Sequence, residues 1–445
     1  MAYTGEFKVY EDIIEEMSLV YQHDKRPWMI GFSGGKDSTL LCCLVMEMLQ
    51  RLPAEKRNKT VYIVSSDTMV ENPIVRDYMH RMSDMINKTG AELNIKADII
   101  YPKVEDTFWS KVIGLGYPTP EAPGFRWCTE RLKIHPMNAY TLETIKNNGE
   151  VVLLLGVRKA ESTYRANNIR AREIEGKLLV PHNDIENAYV YNPLTEIPNE
   201  EVWNFLLKGN AISPWGSDNK YLFSLYQGEN LGEEQSVIGE IDKDKIAVTG
   251  NSRFGCWICT VVKDDKSMNQ LIKNGISWMQ PLLDFRNRLA ENRNKSENRC
   301  STRRNGQLAV DENGHNMGNY TMEYRIQILR ELLQIQKDTQ QYRSSIDLIT
   351  SQELVAIQVI WYRDGNFTTT VNDVYNEVYG YDMPNDNITL QERILLEKAC
   401  SDSNHYRLIQ ELLALQKNKV LLMKKQGLQN DLEERINDFV KSTSK

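Results

Sequence analysis

The sequence predicts an α/β fold, in which a parallel-sheet domain precedes a mostly helical C-terminal region. Short apolar runs alternate with helical segments in the first half of the chain, as in parallel sheets with right-handed crossovers. The first run ends in a glycine turn, and the later sequence has helical periodicity with little strand signal. We therefore expect two domains, residues 1–262 and residues 263–445.

The predicted strands are short apolar or β-branched runs that end at turn residues. They are Trp28–Phe32, Thr60–Ser65, Leu93–Tyr101 and Val151–Leu155. Apolar spacing predicts a helix over Thr39–Leu49, and Asn72-Pro73 is a typical start for a second helix, which Gly90 ends. The Gly- and Pro-rich segment Gly114–Gly124 is predicted to be a loop.

Later segments are less regular. Thr163–Asn183 is polar and basic, which suggests a mobile insert, and Lys208–Gly250 is rich in Gly, Asn and Glu and is predicted to be irregular. The remaining predicted helices are Asn199–Leu207, Tyr324–Lys337, Ile349–Tyr362 and Leu390–Gln429.

Composition limits the possible partners. The 445 residues are 41% hydrophobic and 26% charged, which is typical of a globular protein, and the net charge is -7. An acidic protein that binds nucleic acid must do so through a local basic patch or a partner. The candidate nucleic-acid contacts are Arg165, Arg170, Arg172, Arg286, Arg288, Arg293, Lys295, Arg299, Arg303 and Arg304. The N-terminus lacks signal-peptide features and no apolar run could span a bilayer, so we expect a cytoplasmic protein without a membrane partner.

Ser33-Gly34-Gly35-Lys36-Asp37-Ser38 lies where the first strand meets the first helix of the sheet. Two glycines let successive backbone N–H groups face one anion, and the helix N-terminus adds its positive end. Lys36 can neutralise phosphate charge, both serines can donate hydroxyls, and Asp37 can hold Mg²⁺ or cap the helix. The spacing is not that of a Walker A loop.

Polar residues also follow two other predicted strands. Asp67 stands at the carboxyl end of the second strand, where open parallel sheets bind ligands, and Arg158 and Arg165 follow the fourth. The two arginines could clamp a phosphate. Lys36, Asp37, Asp67 and Arg158 are the candidate catalytic residues. A turn role for Asp67 and a solvated basic face for the arginines are the alternatives.

Cys256-Trp257-Ile258-Cys259 is a CxxC motif, and Cys128 precedes it in the chain. Such thiolates can bind an iron–sulfur cluster, bind zinc or exchange as a dithiol. We favour a cluster because the sequence lacks a second CxxC or a clear histidine pair for zinc. The fourth iron of such a cluster would be either open or bound by Cys300.

Taken in order, these motifs resemble the PP-loop ATP pyrophosphatases, and within them the PAPS and APS reductases. The resemblance includes Ser66-Asp67-Thr68, similar to an Asp-Thr-Gly segment, Cys128 through Leu132-Lys133 to Pro136, Gly156-Val157-Arg158 with Ser162, and Asn192-Pro193-Leu194 with Glu201-Val202-Trp203. It covers about residues 20–260. It implies ATP and Mg²⁺ as ligands, cleavage of ATP between the α and β phosphates, and a [4Fe–4S] cluster on Cys128, Cys256 and Cys259.

The reductases carry a catalytic Glu-Cys-Gly segment, which is absent from this sequence. The region Ser252–Met268 and the long helical tail resemble the DndC family of DNA phosphorothioation proteins. That resemblance implies sulfur insertion into the DNA backbone, together with a cysteine desulfurase and other Dnd proteins. A tRNA-thiolating enzyme, a sulfonucleotide reductase and a non-catalytic ATP-binding scaffold are the alternatives.

Overall fold

The computed structural model describes residues 3–121, 126–227, 255–366 and 368–383, with scattered positions beyond 383. The chain folds into two compact units. The first comprises Met1–Lys103 and Pro120–Arg286, and the second comprises Val104–Thr119 and Asn287–Lys445. These bounds differ from a division at residues 262 and 263, because Val104–Thr119 joins the later unit and the earlier unit extends to Arg286.

The first unit is built on a six-stranded sheet in the order β3-β2-β1-β4-β6-β5. Its strands are β1 Trp28–Gly31, β2 Val61–Ser66, β3 Ile95–Ile100, β4 Val151–Leu154, β5 Val180–Pro181 and β6 Ala188–Tyr191. All neighbouring pairs are parallel except β5 with β6. The fold is therefore α/β with a mostly parallel sheet, as predicted, and β1 lies centrally, so its carboxyl end opens between those of β2 and β4.

Helices cover this sheet or follow it in the chain. They are α1 Lys8–His23, α2 Lys36–Arg51, α3 Pro73–Gly90, α4 Trp127–Thr129, α5 His135–Asn148, α6 Thr163–Arg170, α7 Asn199–Asn204, α8 Asn219–Gln227, α9 Lys266–Lys273 and α10 Gln280–Asn292. The predicted start of α3 is confirmed: the Asn72 side chain accepts a hydrogen bond from Ile74 N–H, and Pro73 occupies the first turn, where its missing N–H costs nothing.

Two segments contain more regular structure in their described residues than the sequence predicts. The polar segment Thr163–Asn183 contains α6, which buries Ala166 and Ile169, and β5, whose Val180 pairs with Val190. The segment Lys208–Gly250 contains α8, which buries Leu222, Phe223 and Leu225. In both cases a few apolar residues on one face were enough for a short helix, because the rest of the unit supplies the surface they pack against. Residues 228–254 lie outside the described residues.

The second unit is helical in its described part. Its main helices are α11 Met322–Gln340, α12 Ser351–Arg363 and α13 Val371–Tyr379. The predictions at Tyr324–Lys337 and Ile349–Tyr362 are confirmed, while the predicted helix Leu390–Gln429 lies largely outside the described residues. The early segment belongs here because the Ile113 carbonyl accepts hydrogen bonds from Arg325 Nε at 2.8 Å and Trp361 Nε1 at 2.9 Å. Its residues Ser110–Gly114 form a π-helical turn. Gly114, predicted to be the first residue of a loop, therefore belongs to this turn.

Candidate functional site

The loop Ser33–Ser38 follows β1 and leads into α2. Gly34 has φ +70°, the left-handed region that favours glycine, and Gly35 is the N-cap residue of α2. Ser38 Oγ donates to the Gly35 carbonyl at 2.9 Å and lies 3.3 Å from Ser33 Oγ. These contacts fix a tight turn whose N–H groups lie at the positive end of the helix, which is the arrangement that binds anions.

The charged groups of this loop are held by a buried arginine. Arg158 has no solvent exposure, and its Nε donates to Asp37 Oδ1 at 2.7 Å. Its other nitrogens donate to the Ile197 carbonyl at 2.9 Å and to Asn199 Oδ1 at 2.8 Å. Lys36 Nζ lies 3.3 Å from Asp37 Oδ2. Arg158 therefore positions Asp37, and its predicted catalytic role stays a prediction.

Gly156, after β4, makes this arrangement possible. A Cβ at that position would lie 2.9 Å from the Asp37 carbonyl oxygen, closer than side chains tolerate. The strand end can thus approach the first turn of α2, which brings Arg158 beneath Asp37.

The turn after β2 is organised around Asp67, whose side chain is fully buried. Its carboxylate accepts hydrogen bonds from Met69 N–H at 2.7 Å, Arg76 Nε at 2.6 Å and His80 Nε2 at 2.9 Å. Burial raises the pKa of this carboxyl, but the hydrogen bond from His80 and the ion pair with Arg76 outweigh it, so the pKa lies below its usual value. The contacts of Asp67 position Arg76, and the predicted catalytic role of Asp67 stays a prediction.

A cavity of about 380 Å³ opens at this edge of the sheet. The loop Ser33–Ser38, named the phosphate loop for its predicted ligand, contributes Ser33, Gly35, Lys36, Asp37 and Ser38. Side chains from other segments complete the wall: Ser66, Glu71, Val75, Arg76, Met79, Lys133, Glu161, Asn199 and Tyr226. The predicted nucleotide loop thus lies on a concave surface of the size that binds small molecules.

The three predicted cluster cysteines lie beside this wall. The CxxC backbone pairs with the turn after β2, since Glu71 and Cys256 form an antiparallel bridge and Trp257 N–H donates to the Val70 carbonyl at 3.0 Å. Cys256 Sγ lies 3.6 Å from Thr68 Oγ1. Burial raises the pKa values of Cys256 and Cys128, and the Cys259 thiol raises both further, so the three thiols are close enough to interact.

Two cavity residues connect the thiols to the cavity. Lys133 Nζ lies 2.9 Å from Glu71 Oε1, which also accepts a hydrogen bond from Thr68 Oγ1 at 3.1 Å. Glu71 raises the pKa of the Cys256 thiol and Lys133 lowers it. The cavity wall and the thiol group therefore share the side chains of Glu71 and Lys133.

The thiols suit iron–sulfur ligation by type. Among the described residues, no group of three or more His, Cys, Asp or Glu side chains converges as the ligands of a single metal ion do. In a [4Fe–4S] cluster the cysteines bind different irons and need not converge on one point. The donor set of Cys128, Cys256 and Cys259 therefore fits a [4Fe–4S] cluster by ligand type.

Other predicted residues have varied positions. Cys300 belongs to the second unit, and its backbone exchanges hydrogen bonds with Gly318 and Asn319. Arg165 lies in α6, but its side chain is outside the described set. Cys42 and Cys43 are fully buried in α2, as expected for packing residues.

Two of the arginines predicted to contact DNA are buried. Arg286 is 1% exposed and donates to the carbonyls of Cys259 and Lys263, so it supports the CxxC turn. Arg299 is 5% exposed and donates to the Gly318 and Met317 carbonyls. These two predictions are wrong, because a guanidinium that spans several carbonyls lies inside the fold. Arg170 and Arg172 are exposed.

Sequence reasoning missed several residues at the site. Arg76 and His80 stand four residues apart on α3, which is the only sequence signal that they share a face. Tyr226 lies in a segment predicted to be irregular, and no motif marks it. Its proximity to the loop arises from tertiary packing.

A glycine-containing loop after the first strand of a parallel sheet, with a polar cavity above it, is the arrangement typical of nucleotide-binding α/β proteins. Residues 27–262 match the phosphoadenosine phosphosulfate reductase domain family, and the chain belongs to that family. One relative, an uncharacterized protein of Methanocaldococcus jannaschii, is 28% identical over 196 residues. The match covers 43% of this chain, and the chain spans 33% of the length of that relative.

Solved structures also resemble this chain. The phosphoadenylyl-sulfate reductase of Candida auris has a TM-score of 0.29 at 11% identity, and the match covers 54% of this chain and 100% of that one. The U34-tRNA thiolase NcsA of Methanococcus maripaludis, determined with its [4Fe-4S] cluster, has a TM-score of 0.30 at 15% identity, covering 63% and 80%. The family assignment comes from the sequence match over residues 27–262.

In the described part of the chain, every helix is too short or too polar to cross a membrane.

Proposed function

We propose that this protein splits ATP into AMP and pyrophosphate and uses the activated intermediate to transfer sulfur to the phosphodiester backbone of DNA. The observation that carries the proposal is the shared wall: the cavity that contains the phosphate loop is also lined by Glu71 and Lys133, beside the Cys256 thiol. Sulfur transfer coupled to ATP cleavage needs a nucleotide site and a sulfur site within reach of one acceptor.

The loop residues have defined roles in this reaction. Backbone N–H groups and Lys36 stabilise the charge that develops on the phosphate chain, and Asp37, held by Arg158, offers a carboxylate oxygen for Mg²⁺. An acceptor oxygen attacks the α-phosphorus, the bond to the β-phosphate breaks, and pyrophosphate leaves. The acceptor then carries AMP, which hydrosulfide displaces as the new phosphorus–sulfur bond forms.

Cys128, Cys256 and Cys259 would hold a [4Fe–4S] cluster, which, with one iron open, supplies a binding site for sulfide. A cysteine desulfurase would supply a persulfide, and a thiol reductant would release its outer sulfur as the hydrosulfide that attacks. DNA as acceptor and the Dnd proteins as partners follow from the resemblance to the DndC family.

The reaction class is tested with ATP labelled at the α and γ positions. We expect slow, Mg²⁺-dependent formation of AMP and pyrophosphate. ADP and phosphate as the main products would contradict the assignment.

The acceptor is tested separately, with labelled sulfide, a cysteine desulfurase, and DNA or tRNA supplied in parallel with the partner proteins. Label in the DNA backbone would support the proposal. Label in tRNA alone would replace DNA by RNA as the acceptor and leave the reaction class intact.

DNA binding is expected to involve the exposed arginines of the insert. Charge reversal in the double variant Arg170→Glu, Arg172→Glu should weaken DNA binding and flatten its salt dependence. The exposed residues Lys56 and Lys273 provide a control double variant with the same change in charge. Equal effects of the two double variants would remove the insert from the DNA site.

A further inference from the structure

Tyr226 lies directly against the phosphate loop. The Lys36 N–H donates a hydrogen bond to its hydroxyl oxygen at 3.2 Å, and Lys36 Nζ lies 5.6 Å from the centre of its ring. A Cβ added to Gly35 would lie 3.1 Å from the same hydroxyl oxygen. The tyrosine hydroxyl therefore lies at the N-terminus of α2, among the backbone N–H groups that the loop offers to an anion.

The ring is held in place by packing. Trp203, which is 1% exposed, meets the Tyr226 ring edge-on, with 5.1 Å between the ring centres. Tyr226 is carried by α8, which is anchored through Leu222 and Leu225 in the core and through Asn219, whose side chain donates to the Asn210 carbonyl at 2.7 Å. The hydroxyl position is thus set by a buried framework and not by the loop alone.

A tyrosine hydroxyl can accept one hydrogen bond and donate another. The hydroxyl lies beside the N–H groups at the N-terminus of α2, where a phosphate oxygen would be bound, so its proton can be donated to that oxygen. The ring face also attracts the Lys36 ammonium, which keeps this cation at the cavity wall.

We propose that Tyr226 is a binding residue for the phosphate chain of the nucleotide, donating its hydroxyl proton to a phosphate oxygen while its ring positions Lys36. The proposal rests on the proposed function, in that the cavity binds ATP. It extends that function by adding a side chain from outside the loop to the group that recognises the phosphates.

The same contact has an opposite consequence if the hydroxyl occupies the position of a phosphate oxygen. Tyr226 would then compete with the nucleotide for the Lys36 N–H and would have to move before binding. The two roles predict opposite signs for one substitution, Tyr226→Phe, which keeps the ring beside Trp203 and Lys36 and removes only the hydroxyl.

The test measures binding of inorganic pyrophosphate and of ATP with Mg²⁺ to the full chain by calorimetry. We expect Tyr226→Phe to bind both about tenfold more weakly than the wild type, as for a lost hydrogen bond to a charged group. Unchanged or tighter binding would overturn the proposal, and tighter binding would show that the hydroxyl competes with phosphate.

Tyr221→Phe is the matched control. Tyr221 lies on the same helix, does not line the cavity, and accepts a hydrogen bond from Arg81 at 3.4 Å. It should leave pyrophosphate binding unchanged, and thermal unfolding of both variants checks that the fold is intact. Because the readout is binding, its outcome is independent of the products formed from ATP; formation of ADP would contradict the proposed function without bearing on Tyr226.

Discussion

The turns after β1 and β2 face the same cavity, and each contains an arginine–aspartate pair, but the buried member of the pair differs between them. After β1, the arginine is buried: Arg158 lies beneath the loop and holds Asp37, whose carboxylate lines the cavity. After β2, the carboxylate is buried: Asp67 holds Arg76, whose side chain lines the cavity. In each of these two turns, the charged group that faces the cavity is thus fixed by a buried partner of opposite charge.

The comparison shows how one cavity can present a fixed anion and a fixed cation. A charged side chain free in solvent would lose side-chain entropy on binding a ligand, whereas one anchored from below has already lost it. The two turns differ in the segments that they contact. The first leads directly into a helix N-terminus, and the second pairs its backbone with the CxxC segment.

The largest expected effect concerns the CxxC segment, whose backbone pairs with the turn after β2. Single Cys→Ser variants at Cys128, Cys256 and Cys259 should lose the iron and acid-labile sulfide of anaerobically purified protein, because each removes a ligand of the proposed cluster. Cys300→Ser should keep them. Iron, sulfide and absorbance measurements decide the question: cluster loss in Cys300→Ser would make Cys300 the fourth ligand, and zinc in place of iron would remove the cluster altogether.

Breaking the buried pair of the first turn should cost the most stability. Arg158→Met leaves Asp37 and two other acceptors without their buried donor, and we expect a loss of about 3 kcal/mol in the free energy of unfolding. Urea titration measures it. Arg288→Met, which removes an exposed arginine paired with Glu331, should change stability by less than about 0.5 kcal/mol. Equal effects would show that burial of Arg158 is unimportant.

Breaking the second pair should cost less and should depend on pH. Asp67→Asn should lose about 2 kcal/mol at neutral pH, since Arg76 is partly exposed. The lowered pKa of Asp67 means that its contribution is fully present above the unfolded value near pH 4 and disappears as pH falls through the folded value. The difference between wild type and variant should therefore be constant above about pH 4 and shrink below it. A difference that shrinks at higher pH would assign the effect to another group.

Removing the cation of the first turn tests function rather than stability. Lys36→Ala should lower pyrophosphate release more than about tenfold, or roughly 1.4 kcal/mol in the barrier, while iron content stays unchanged. Loss of both iron and turnover would mean that the two turns depend on each other.

The smallest effect concerns backbone strain. Gly34 and Met69 both adopt positive φ, +70° and +65°, but only the first is a glycine. Met69→Gly should therefore stabilise the protein by about 0.5 kcal/mol, and Gly34→Ala should destabilise it by about 1 kcal/mol. Thermal unfolding of both variants checks the signs, and destabilisation by Met69→Gly would show that the methionine side chain contributes more by packing than the backbone loses by strain.

Much of the site was predictable because its signals are local. The loop Ser33–Ser38 combines glycines, a lysine and hydroxyls within six consecutive residues at the end of an apolar run, so strand, turn and helix start could all be read from neighbouring positions. Asp67 and Arg158 were predictable at this edge of the sheet, because the carboxyl ends of parallel strands share an edge. Their positioning roles were not predictable, since burial depends on what packs around them.

The sequence by itself determined the α/β class, the phosphate loop and the three cysteines that suit a cluster, because each depends on residue type and spacing along the chain. Only the tertiary structure decided that Arg286 supports the CxxC turn, that Arg76 and Tyr226 line the cavity, and that Glu71 and Lys133 connect the phosphate loop to the thiols. These side chains come from distant segments, and their contacts form only when the strands, helices and turns that carry them pack together.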